Sequence, residues 1–188
     1  QAYETMVALT VMLQRAHPYT HGHLERVGRL AEDVGRRLGL PASRASLLRR
    51  AAVLPDIGKI GIDEEILDKP AKLTDAEYEH VKQHSDFGAK ILSHSDRFRA
   101  IVPWIRHHHE RPDGNGYPQR LRDDQIPLES KVIAVSDAYD AMAGTEKRTY
   151  RDAMTPDEAI AELERCSGSQ FDQRVVKVFI EALRGGPL

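Results

Sequence analysis

Residues 24–39 read LERVGRLAEDVGRRLG. Leu24, Val27, Leu30, Ala31, Val34 and Leu38 recur at steps of three and four, so they share one face of a helix. Gly39 follows the last apolar position, a common place for a helix to stop. The same period continues along the chain. Leu47, Leu48, Ala51, Ala52 and Leu54 form a second stripe. Thr74, followed by Asp75 and Glu77, reads as an N-cap with an acidic first turn, opening a helix that carries Tyr78, Val81, Ile91 and Leu92. Val132, Ile133, Val135, Ala138 and Met142 make another stripe. Thr155-Pro156-Asp157-Glu158 is a helix start with Pro at the first helical position. A last helix carries Val175, Val176, Phe179, Ile180 and Leu183 and ends at Gly185-Gly186-Pro187. Between these stripes, Arg111 to Pro127 holds Pro112, Gly114, Gly116, Pro118 and Pro127 and reads as a long loop. Strand patterns are few, and the expected fold is all-α, one helical domain over residues 1–188.

A chain of 188 residues can bury a substantial core. With 27 Lys and Arg against 29 Asp and Glu, the formal charge of −2 argues against a basic surface for duplex nucleic acid. No apolar run is long enough to span a membrane, and no signal peptide opens the chain. The single cysteine, Cys166, leaves no internal disulfide, and a cytoplasmic setting is expected. The chain begins at Gln1, and we read it as a piece of a longer multidomain protein.

Nine histidines stand in the chain, and their grouping carries the chemistry. His107, His108 and His109 are consecutive and Glu110 follows. Neighbouring side chains on a helix point about 100° apart. Two of these imidazoles reach one ion only where the helix end meets the site obliquely; otherwise the run is a solvated surface feature. Asp56, in LPDIGK, and Asp137, in AVSDA, each lie in an apolar or small-residue stretch. A carboxylate buried there must cap a helix, pair with a cation or bind a metal. His23 and His84 read equally as polar helix residues or as further ligands.

The order of these residues resembles the HD-GYP family, the bacterial phosphodiesterases of cyclic di-GMP. The resemblance is carried by PYTHGHLERV at 18–27, DIGKIGI at 56–62, HHERPDGNGYP at 108–118 and IPLESKVIAVSDAYDAM at 126–142, with His84 between the second and third. It implies that His23, Asp56, His84, His108, His109 and Asp137 are metal ligands, with Asp56 bridging two ions. It gives Lys59 to the scissile phosphate, Arg148 to a phosphate, and Gly116, Tyr117 and Pro118 to the naming loop beside the substrate. Iron or manganese is the implied metal; mixed imidazole and carboxylate ligands also suit zinc or nickel. Two ions on a shared carboxylate activate water and stabilise the phosphoryl and leaving oxygens.

One departure stands out. The family places His-Asp where this chain has Pro55-Asp56, and Pro55 offers no ligand. The missing imidazole belongs to the metal held by His23 and Asp137, so one of two sites is expected to be weak. Tyr19 replaces an acidic residue of a third site, and a trinuclear centre is not expected. Pro55 should also disturb a helix interior, lacking an N–H. Two functions follow from the resemblance: a cyclic di-GMP phosphodiesterase yielding pGpG and then GMP, impaired by Pro55, or a degenerate regulatory module that binds nucleotide or a partner such as a GGDEF-type cyclase.

Overall fold

A computed structural model of the chain describes residues 2–13, 21–143 and 154–185, with the side chains of residues 2, 13 and 21–23 left aside. Helices make up the architecture: α1 Ala2–Leu13, α2 His21–Arg37, α3 Ala42–Ala51, α4 Glu64–Leu67, α5 Asp75–Lys82, α6 His84–Ser93, α7 Val102–Arg106, α8 Leu128–Ala143, α9 Pro156–Arg165 and α10 Gln173–Gly185. Short 3₁₀ segments lie at Pro55–Gly61, Asp96–Phe98 and Asp123–Gln125. Among the described residues the extended pairing is one isolated bridge, Ser167 to Phe171. None of the described helices is long and apolar enough to cross a membrane.

The local rules behind the sequence reading operate as expected. Thr74 and Glu77 close a reciprocal capping box at the start of α5, and Thr155 and Glu158 do the same for α9, with Pro156 at its first position. Past α2, the amides of Gly39 and Leu40 bond to the carbonyls of Arg36 and Gly35, which ends the helix where the apolar spacing ends. Leu24, Ala31 and Val34 of α2, with Leu38 just past it, meet Leu48 and Ala51 of α3, and the cluster continues through Ile57, Leu92, Ile105, Ile133, Leu163, Val175 and Phe179. This single core is what the periodic stripes bury.

Two expectations are corrected. The helix read from Thr74 through Leu92 is two helices, α5 and α6, meeting at Gln83, whose amide bonds back to the carbonyls of His80 and Val81. The tightened turn lets α6 present His84, Ser85, Gly88 and Ala89 inward while α5 buries no residue completely. Pro55 does not sit in a helix interior. It is the first residue of the 3₁₀ segment, after Leu54, where a missing N–H costs nothing because the first amides of a helix have no partner inside it.

Candidate metal centre and cavity

The segment Pro55–Gly61 packs chiefly on α6, and Gly58 makes that possible. A Cβ on Gly58 would lie 1.8 Å from the His84 carbonyl oxygen and 2.4 Å from the Gly88 nitrogen, so only glycine lets the two backbones touch. This contact sets Asp56, two residues earlier, beside His84, the first residue of α6.

His107, His108 and His109 lie in the turn just after α7 rather than on the helix. That turn removes the 100° divergence of consecutive helical side chains, and His108 and His109 converge on His84. One ring nitrogen from each of the three lies within 4.8 Å of the others. The Nε2 atoms of His84 and His108 are 3.4 Å apart, and those of His109 and His84 are 3.2 Å apart.

The other ring nitrogens define the chemistry. His84 Nδ1 is 2.7 Å from the Val81 carbonyl oxygen, and His108 Nδ1 is 2.5 Å from that of Ile105. A carbonyl only accepts, so both Nδ1 atoms carry the proton and donate. In neutral rings both Nε2 lone pairs then face one another, an arrangement that is repulsive alone and favourable around a cation. Backbone carbonyls orienting imidazoles in this way are the usual outer support of metal-binding histidines. The residues fit a metal.

The electrostatics agree. Burial, and next the neighbouring His84, lowers His108 to about 3. Burial likewise holds His109 well below its ordinary value and lowers His84. Near neutrality the rings are unprotonated, as ligation requires. Burial by itself would raise the Asp56 carboxyl; the Lys59 ammonium, with His84 and His108 beyond it, brings it down to about 2. With the imidazoles neutral, Lys59, whose Nζ is 2.8 Å from Asp56 Oδ1, supplies the charge that matters.

The imidazoles open into a cavity of about 390 Å³ lined by His108, His109, Tyr117 and Asp137, with Tyr78 and Lys82 from α5. Gly116 and Asn115 also reach it, as do Arg111, Gln170 and Phe171. Tyr117 stacks on His109, with ring centroids 4.7 Å apart and 26° between planes. A smaller recess of about 30 Å³ is lined by Pro55, Asp56, Asp137 and Asp140. Asp137 therefore borders both spaces. Lys59 does not line the larger cavity; it lies against Asp56. The side chain of His23 is not described, although its backbone lies in the first turn of α2. Arg148 lies outside the described residues.

Several residues of this wall were missed in the sequence. Glu110, buried next to the histidines, accepts hydrogen bonds from the Gln119 amide at 2.6 Å and the Leu121 amide at 2.9 Å, which anchors the far side of the GYP segment. The position of Glu110 directly after His109 was the one available hint for it. Gly116, which the resemblance already assigned to this loop, approaches the backbone so closely that a Cβ would lie 2.4 Å from the Arg111 nitrogen. Exchange of Glu110 for Ala is expected to cost about 2–3 kcal/mol, because two amides lose a charged acceptor. Urea unfolding checks this: a change below about 0.5 kcal/mol would show that the loop is held by other contacts.

Comparisons with known proteins give the family and the fold likeness. The family model described as HD domain matches residues 8–175. A "Cyclic di-GMP phosphodiesterase" of Thermotoga maritima is 36% identical over 181 residues, 95% of this chain and 49% of that protein. A "3'3'-cGAMP-specific phosphodiesterase 3" of Vibrio cholerae is 37% identical over 166 residues, 88% of this chain and 36% of that protein. The chain thus spans half or less of the length of these curated relatives. The crystal structure of a cyclic GMP-AMP-specific phosphodiesterase of V. cholerae aligns with a TM-score of 0.72 at 19% identity, covering 97% of this chain and 48% of that one, a likeness of fold. With the match running from α1 to the start of α10 and taking in His84 and the turn that bears His108 and His109, the chain belongs to the HD domain family.

Proposed function

We propose that the chain is the catalytic domain of a metal-dependent phosphodiesterase, part of a longer protein, and that its substrate is a cyclic dinucleotide, cyclic di-GMP first. The opposed Nε2 lone pairs of His84 and His108, 3.4 Å apart and each fixed by a backbone carbonyl, carry the reading. The names of the relatives supply the substrate class: one is named for cyclic di-GMP and another for 3'3'-cGAMP.

In this reading His84, His108, His109 and Asp56 hold one ion, iron or manganese in preference to zinc or nickel. His23, Asp137 and Asp56 would hold a second ion, whose set lacks the imidazole that Pro55 replaces. When bound, the metal supplies an activated water and withdraws charge from the phosphoryl oxygens. The protein's own groups do the rest. Lys59 keeps Asp56 ionised and brings a positive charge to the scissile phosphate. Tyr117 and Gly116 form the wall against which the nucleotide lies, and Arg148 adds a phosphate contact. The product is linear pGpG, with further cleavage to GMP. The assay is chromatography of pGpG beside metal analysis of the same sample; a metal-loaded protein that leaves both cyclic di-GMP and 3'3'-cGAMP intact would favour the second reading.

That second reading is a regulatory module that binds nucleotide or a protein partner, such as a GGDEF-type cyclase, without turnover. Pro55 favours it. The two separate on Pro55→His. Since residue 55 opens the 3₁₀ segment, a restored N–H needs no new partner and the backbone tolerates the change. The variant is expected to move from below two ions per chain toward two and to gain turnover on the order of tenfold or more. Two full equivalents of metal and brisk hydrolysis in the Pro55 protein would show that this position is dispensable.

A further inference from the structure

The larger cavity is lined by chemically different groups. His108 and His109 belong to its wall, and so does Lys82, the last residue of α5. Its Nζ lies 4.8 Å from the ring centre of Tyr78 and 5.6 Å from that of Tyr117. Tyr117 is in turn stacked on His109. Tyr117 thus touches both the ammonium and the imidazole cluster. Two aromatic faces against it limit its hydration and hold its direction.

The partners of the cations in this wall differ. Arg111 is bound by two hydrogen bonds to Asp113, whose side chain is 23% exposed. Lys82 meets Glu79, whose side chain is 68% exposed. An exposed pair of this kind contributes little, and a ligand oxygen can take the place of the carboxylate. The bend at Gln83 completes the arrangement: it lets His84 turn to the cluster while Lys82, two residues earlier, faces the cavity from the α5 side.

A cyclic dinucleotide carries two phosphodiesters in one covalent ring. With one of them on the imidazole cluster, the other is held at a set distance and brings an uncompensated negative charge into the cavity. We propose that Lys82 binds this second, non-reacting phosphate and so selects cyclic dinucleotides over mononucleotides. The proposal rests on the reading given under Proposed function and adds to it a substrate-binding residue that acts on affinity and not on bond cleavage.

The test is titration calorimetry on the intact chain loaded with Mn²⁺. The probes are the hydrolysis-resistant bis-phosphorothioate of cyclic di-GMP and, separately, GMP. Lys82→Gln is expected to weaken binding of the cyclic probe by about tenfold or more, and binding of GMP by less than about threefold. Lys82→Arg should restore the cyclic probe to within about threefold, since the charge is kept. Equal affinity of the unaltered chain and Lys82→Gln for the cyclic probe overturns the proposal, as does an equal loss for GMP. An unaltered chain that takes up Mn²⁺ but binds no cyclic probe overturns the proposal together with the substrate reading. Loss of the cyclic probe alone in Lys82→Gln supports both.

Discussion

Exchange of His108 for Leu is expected to strip the cluster of its ion and to lower any phosphodiesterase turnover by more than about 100-fold, since even outer supports of a metal site are worth 10–100-fold. The ring is fully buried and its Nε2 is one of three converging donors. Two donors from His84 and His109 would remain, with Asp56 beside them. Calorimetry or dye-monitored melting gives a readout that does not depend on activity. The unaltered chain should gain about 2.7 kcal/mol of stability at a metal concentration near 100 times the dissociation constant, and His108→Leu should gain almost none. In metal-free buffer the difference should be small. The variant removes one of two facing lone pairs from the interior and largely refills the volume of the ring, so its metal-free form should lose little stability. A metal-dependent rise in melting temperature that survives His108→Leu would place the ion elsewhere.

Exchange of Gly58 for Ala is the second large effect. The added carbon would stand 1.8 Å from one backbone atom and 2.4 Å from another, and neither can rotate away as a side-chain tip can. The 3₁₀ segment must therefore lift from α6. We expect a loss on the order of 3 kcal/mol or more, at the upper end of core overpacking because the clash is with backbone. Asp56 moves with the segment, so metal affinity should fall in any fraction that still folds. Urea midpoints for the two proteins, with metal stoichiometry on the folded material, check both halves. A midpoint within about 0.5 kcal/mol of the parent would mean that the close approach of Gly58 to α6 does not exist in solution.

The helices were legible because their cause is local. The stripe from Leu24 to Leu38, the capping residues Thr74 and Thr155 and the stop at Gly39 each act within a turn or two of their own position. The break at Gln83 was not legible, because apolar spacing passes through it without interruption. What decides it is the packing of α6 on residues 55–61, whose cause lies at Gly58, far away in the chain.

The site divides in the same way. Residue types and their order determined the ligand candidates, since an imidazole or a carboxylate in an apolar stretch must find a cation or a hydrogen-bond partner whatever the fold. They also determined that position 55 offers no donor. Tertiary structure alone decided that His108 and His109 turn toward His84, because they stand in a turn past α7 and not on a helix. It decided that Pro55 is harmless to the backbone, that Lys59 lies on Asp56, and that Glu110 ties down the GYP segment. It also placed Lys82 and His109 against the same tyrosine ring. The place of Pro55 and the Lys59–Asp56 pair follow from the 3₁₀ segment itself; the others depend on the direction of a side chain relative to another element or loop, and such a direction is set only when the elements pack.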